Sequence, residues 1–195
     1  YIFMTKLITI AVDAMGGDNS PKKILEGINM HYKKSKNIFY KIFGDTNILN
    51  KIVPSSLPKE VYELNHTNES VKDTDTPLSG AKKGKNTSMW LAIESVKNKK
   101  SDIVISAGNT GALFVIAKLN FKMIENIDKP ALSGLWPNKN SMNVVLDLGA
   151  NIECSEKNLI DFSLMGAALL KALFPNENPK VSLLKIGRAS CRERV

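Results

Sequence analysis

Three short segments combine glycine with side chains that could do chemistry: Asp13-Ala14-Met15-Gly16-Gly17-Asp18, Ser106-Ala107-Gly108-Asn109-Thr110-Gly111 and Asp147-Leu148-Gly149-Ala150-Asn151. The second carries the strongest signal. Glycine lets a backbone approach an anion closely, and the first amides of a following helix point at it with the positive end of the dipole behind them. Ser106, Asn109 and Thr110 add side-chain donors, so this loop suits phosphate or a developing oxyanion. Its structural alternative is a tight strand-to-helix turn with Thr110 as N-cap. The lysine of a Walker loop and the third glycine of G-x-G-x-x-G are both missing, which leaves nucleotide binding unsupported.

Asp13 and Asp18 set two carboxylates around a backbone that can bend sharply. They could orient a nucleophile or a lysine, or hold a cation; otherwise Asp18 or Asn19 simply supports a helix start. Asp147 and Asn151 form another acid-and-amide turn, whose weight comes from recurring beside the other two. A fourth cluster runs from Thr76-Pro77-Leu78 through Lys82-Lys83-Gly84-Lys85-Asn86-Thr87-Ser88-Met89. Lys82 or Lys85, with Ser88, could neutralise a bound phosphate; the alternative is a solvated face.

The elements that must position these residues alternate. Leu7 to Val12 is a continuous apolar, β-branched run ending at Asp13, the pattern of a strand buried on both faces. Ser20 and Pro21 read as N-cap and first position of a helix with Ile24, Leu25, Ile28 and Tyr32 on one stripe. A strand over Ile38 to Phe43, a short helix over Thr46 to Val53 and a weaker strand over Val61 to Leu64 follow. The polar stretch from Asn65 to Thr76 reads as a surface loop.

Further on, helices are expected over Pro77 to Lys83, Thr87 to Val96, Ala112 to Lys122 and Leu159 to Phe174. Strands are expected over Ile103 to Ile105, Ala131 to Trp136 and Val144 to Leu146, with another beginning at Val181. Such alternation implies βαβ units, a mostly parallel sheet and right-handed crossovers. Ligands in such sheets sit beyond the carboxyl ends of strands. The three Gly-rich turns are therefore expected on one rim.

The chain has 195 residues, 43% hydrophobic and 24% charged, the composition of a globular protein with a sizeable core. Neither a spanning helix nor a signal-like segment opens it, so a cytoplasmic protein is the expectation. All three arginines, Arg188, Arg192 and Arg194, fall in the last eight residues. The segment Lys185 to Val195 resembles a sequencing-adapter read-through, and Leu184 is read as the last authentic residue; Met4 is read as the initiator. Without the tail's four cations and one anion the net charge falls from +8 to +5, on scattered lysines without aromatic interleaving, which does not indicate a nucleic-acid binder. His31 and His66 lack a Ser or Cys partner in sequence, which argues against a triad, and Cys154 reads as an inert small residue.

Taken in order, the Asp13-Ala14-Met15-Gly16-Gly17-Asp18 and Ser106 to Leu113 blocks, Lys129-Pro130-Ala131-Leu132 and Leu146 to Asn151 resemble the bacterial acyl-ACP:phosphate acyltransferases of phospholipid synthesis. The resemblance implies that inorganic phosphate attacks the thioester of a fatty acyl-[acyl-carrier protein], giving acyl-phosphate that feeds a membrane glycerol-3-phosphate acyltransferase. It also implies a three-layer α/β/α fold like that of isocitrate and isopropylmalate dehydrogenases, a homodimer and loose membrane association. No metal or organic cofactor is demanded.

On this basis Gly108, Asn109, Thr110 and Gly111 are assigned to phosphate or oxyanion, with Gly16, Gly17, Ser88 and Ser106 lining the substrate site. Lys82 and Lys85 are assigned to charge neutralisation, and Asp13, Asp18, Asp147 and Asn151 to orientation or proton transfer. The family often has arginine where Lys82 stands and asparagine where Lys185 stands, and its chains are longer. Residues 4–184 are therefore read as the N-terminal part of one catalytic region, and 185–195 as a non-native tail. The rival readings are an acyl-CoA-using phosphate acetyltransferase-like enzyme, a decarboxylating dehydrogenase disfavoured by the lack of an arginine clamp, and a non-catalytic module that holds an anion or an acyl-carrier protein.

Overall fold

The computed structural model describes residues 7–139 and 141–184. The chain divides into two compact units, residues 1–122 and 123–195. The expectations placed on Met4 and on the 185–195 tail lie outside the described residues.

In the first unit the continuous apolar run forms strand β1 (Ile8–Asp13), joined by β2 (Ile38–Gly44), β3 (Tyr62–His66) and β4 (Ile103–Ser106). All pairings are parallel, and the order is β3-β2-β1-β4. Successive side chains on a strand point to opposite faces. Thus Ile10 and Val12 pack into one core with Leu25 and Ile28 of helix α1 (Lys22–Lys34) and Leu49 of α2 (Thr46–Ile52). Ala11 faces the other way, with Phe43 and with Ala92 of α4 (Ser88–Lys97). A third cluster joins α4 to Ala81 of α3 (Pro77–Lys82) and to Ala112 and Ile116 of α5 (Thr110–Asn120). Helices therefore cover both faces of the parallel sheet, the expected three layers.

The start of α1 corrects the expected cap. Pro21 occupies the N-cap position, and Ser20, instead of capping, donates its hydroxyl to the Gly16 carbonyl at 2.5 Å. This contact closes the first Gly-rich turn on itself.

The second unit holds β5 (Gly134–Pro137), β6 (Met142–Val145) and helix α6 (Glu156–Leu173), the last opened by a capping box between Ser155 and Asn158. The expected parallel arrangement does not extend to β5 and β6, which pair antiparallel. The connection between them is far shorter than the dozen or more residues that a parallel crossover requires. The strand expected from Val181 is not formed, since residues 181–184 have no regular structure. No helix among the described residues is long and apolar enough to cross a membrane.

Candidate active site

Strand order places the first two Gly-rich turns side by side. β1 is followed by β2 and β3 on one side, while β4 returns to pair with β1 on the other, which creates a topological switch point between β1 and β4. The crevice beyond the carboxyl ends of such strands is where open α/β sheets bind ligands. Asp13 and Ser106, the last residues of these strands, are register partners.

Asp13 is buried, and its carboxylate joins three elements. Oδ1 accepts from the Ser88 hydroxyl at 2.6 Å and the Met15 N–H at 3.2 Å, and Oδ2 accepts from the Ser106 hydroxyl at 2.7 Å. Ser106 Oγ in turn accepts the Gly108 N–H at 3.2 Å. A buried carboxylate needs such donors to offset its desolvation. Asp13 therefore fixes the end of β1, the turn after β4 and the first residue of α4 relative to one another.

The glycines in these turns answer to close packing. A Cβ on Gly16 would sit 2.9 Å from the Gly108 Cα, and one on Gly17, at φ +89°, would strike the Ala107 carbonyl. The two turns thus touch backbone to backbone. Gly111 lies against Pro77, where a Cβ would come within 2.5 Å of Cγ, so this glycine admits α3 to the flank of α5.

Asn109, not Thr110, is the N-cap of α5: its Oδ1 accepts the Ala112 N–H at 2.9 Å. Its Nδ2 donates to the carbonyl of Asp75 at 2.7 Å and lies 3.3 Å from that of Asp73. The Asn109 side chain is thereby committed to protein partners, which leaves the N–H groups of Thr110 and Gly111 and the exposed Thr110 hydroxyl as the donors this loop can offer an anion.

Lys82, at the end of α3, and Lys85 are exposed, and neither has an ion-pair partner among the described residues, whereas Lys83 pairs with Asp75 at 2.6 Å. Ser88 belongs to the Asp13 network and does not face solvent. Asp18 is exposed beside the first turn.

The third turn lies in the second unit and is a self-contained brace. Asp147 accepts the Leu132 N–H at 2.8 Å through one oxygen and the Asn151 N–H at 2.8 Å through the other, while Asn151 Nδ2 donates to the Pro130 carbonyl at 2.8 Å. Partial burial disfavours the charged form of Asp147, but the hydrogen bonds from Asn151 and Leu132 outweigh it and hold the carboxyl below the usual range. The segment 130–132 and the Asp147 turn are therefore one structural piece. A groove of about 700 Å³ in this unit is lined by Asp147, Asn151 and Cys154 together with Leu146, Phe162 and Leu170.

Both histidines are occupied elsewhere. His31 Nδ1 lies 2.9 Å from the Tyr40 hydroxyl, and His66 Nδ1 lies 2.8 Å from the Thr46 hydroxyl. No group of three His, Cys, Asp or Glu side chains among the described residues is placed to hold a metal ion.

The sequence reading passed over Asp75, which carries both Lys83 and the carbonyl that Asn109 grips. Its only signal was an acid within a polar stretch without periodicity. The N-cap role of Asn109 was legible, since Asn immediately before a helical run is a favoured cap.

Comparison with known proteins adds a family. The model of a family described as fatty acid synthesis protein matches residues 8–193. A phosphate acyltransferase of Pelagibacter ubique is 69% identical over 184 residues, covering 94% of this chain and 55% of the relative. Phosphate acyltransferases of Maricaulis maris and Paramagnetospirillum magneticum are 40% and 36% identical, over 95% and 94% of this chain and 54% and 53% of theirs. The chain thus spans about half the length of the curated relatives it matches.

Proposed function

Because this chain belongs to the fatty acid synthesis protein family, we propose that the protein it represents transfers a fatty acyl group from acyl-[acyl-carrier protein] to inorganic phosphate, the product serving phospholipid synthesis. The observation that carries the reading is the Asp13–Ser106 register at the switch point, with the two Gly-rich turns in contact and the N-terminus of α5 opening beside them.

In this reading phosphate is held by the Thr110 and Gly111 N–H groups at the start of α5 and by the Thr110 hydroxyl, and its charge is met by Lys82 and Lys85. A phosphate oxygen attacks the thioester carbonyl carbon, the C–S bond breaks, and the carrier thiolate leaves and takes up a proton. The gain comes from holding nucleophile and carbonyl in attack geometry and from donors aimed at the developing oxyanion. Gly16, Gly17, Gly108 and Gly111 shape the turns that carry these groups. Asp13, Ser88 and Ser106 keep those turns rigid, and Asn109 caps the helix that supplies the amides. Asp18 is the exposed acid available for proton transfer, while Asp147 and Asn151 orient the 130–132 segment. A homodimer that works in the cytoplasm and meets the membrane loosely, handing acyl-phosphate to a glycerol-3-phosphate acyltransferase, completes the proposal.

The test uses full-length enzyme with acyl-carrier protein charged with a long-chain fatty acid. Acyl-phosphate trapped by hydroxylamine, and free thiol released only when phosphate is present, are the expected results. Equal activity with acetyl-CoA would favour the acetyltransferase-like alternative, and tight carrier binding without product would leave only a binding module.

A further inference from the structure

The segment between β3 and α3 runs along the site as a strap fastened at both ends. At one end the Thr67 hydroxyl donates to the Asn86 carbonyl, and the Ser88 N–H donates to the Glu69 carbonyl at 3.0 Å, which ties the strap to the start of α4. At the other end Asn109 Nδ2 grips the Asp75 carbonyl at the start of α5. Between these points the strap borders a recess of about 390 Å³ lined by Asn68, Glu69, Ser70, Lys72 and Lys83.

Asp75 is where the second fastening meets the lysine cluster. Its carboxylate accepts the Lys72 N–H at 2.7 Å and pairs with the Lys83 ammonium at 2.6 Å, and its own N–H donates to the Lys72 carbonyl at 3.0 Å. The turn 72–75 is thus closed twice, and Lys83 is drawn onto it. The Asp75 side chain is 16% exposed and that of Lys83 33%, so the pair is partly shielded from solvent. The hydrogen bond from Lys83 also holds the Asp75 carboxyl below the usual range. Lys82 and Lys85, on either side of Lys83 in sequence, remain without a carboxylate among the described residues.

We propose that Asp75 is a positioning residue for the phosphate subsite: by holding Lys83 on the strap and the strap on Asn109, it sets where Lys82 and Lys85 stand relative to the N-terminus of α5. The proposal deepens the acyl-transfer reading and rests on it. Asp75 touches no reacting atom; it acts through Lys83 and through the turn that Asn109 grips. The four cations of this neighbourhood, Lys72, Lys82, Lys83 and Lys85, are therefore not equivalent, because one of them is spent on position.

The experiment measures phosphate KM and kcat of full-length enzyme, at saturating acyl-carrier substrate, for wild type, Asp75→Asn, Lys83→Met and the double variant. Each single variant should raise the phosphate KM by about threefold to tenfold, the scale of one weakened hydrogen bond, with kcat and the acyl-carrier KM held within about twofold. The double variant should be no worse than the poorer single one, because both break the same pair. Opposite shifts, with KM lowered by Asp75→Asn and raised by Lys83→Met, would mean that the two residues act only through their charge, and would overturn the positioning role. So would an unchanged phosphate KM accompanied by a fall in melting temperature, the mark of a merely structural pair. A wild-type enzyme that forms no acyl-phosphate would overturn the functional reading itself, a result separate from either of these.

Discussion

Replacing Gly16 by alanine tests whether the two Gly-rich turns must touch. The added methyl would sit 2.9 Å from the Gly108 Cα, 3.0 Å from the Gly108 N and 2.6 Å from Asp13 Oδ2. Carbon atoms rest about 3.5–4.0 Å apart, so relief requires a displacement of about 0.6–1.1 Å. Two of the three obstacles are backbone, and the third is a buried carboxylate fixed by three hydrogen bonds. Overpacking of this kind costs about 1–3 kcal/mol, and a shift of about 1 Å in a positioned group can cost about a hundredfold in rate. Gly27, in the exposed interior of α1, is the internal control: a Cβ there meets nothing within 4 Å. Gly27→Ala should stabilise by about 0.5–1 kcal/mol through helix propensity. Urea unfolding and phosphate-dependent acyl-phosphate formation, measured on both variants of the full-length enzyme, give the contrast. A Gly16→Ala enzyme with wild-type stability and kcat/KM within twofold of wild type would refute the claim that the site depends on this contact.

Two further outcomes follow from the hydrogen bonds. Ser106→Ala removes one of the donors to buried Asp13 and leaves the Gly108 N–H without its acceptor, so unfolding free energy should fall by about 1–3 kcal/mol; a loss below 0.5 kcal/mol by urea titration would show the network to be dispensable. Asp147, whose folded-state carboxyl ionises below its unfolded value of about 3.9, contributes stability that is complete above that value and is lost as pH falls through the lower folded one. Between pH 6 and pH 3 the wild type should therefore lose more stability than Asp147→Asn, and equal losses would contradict the assignment.

The elements that could be read from sequence are those whose signal is local. β1 announces itself as a continuous apolar run because both of its faces are covered; β4 shows the same run, although Ile103 and Ile105 stand about half exposed, and Asp13 and Ser106 at the strand ends follow directly. What a single chain does not display is which strand lies beside which. The pairing of β1 with β4 spans roughly ninety residues and depends on packing that no window of sequence contains. Asp75 was missed for the same reason, since what ties its local turn with Lys72 and Lys83 to the site is the grip of Asn109, 34 residues away in the chain. The antiparallel β5–β6 pair is a different kind of miss: the shortness of the connection already forbade a crossover, and the chain length between the strands was the signal to use.

The glycines of the central loop bear on how the site would select its ligand. A glycine that lets an anion approach the backbone leaves open space above itself, but Gly108 is faced by the Gly16 Cα and the Met89 methyl, and Gly111 by the Pro77 ring. These positions are small so that other parts of the protein can come close. On the proposed function, affinity for phosphate in this loop would fall to the direction of the α5 amides and to two exposed lysines, groups that recognise charge more than shape. If the proposed function holds, such a site would bind a small mobile anion weakly and would draw its specificity for the nucleophile from where the turns hold it, through the contact between Gly16 and Gly108 and the strap at Asp75.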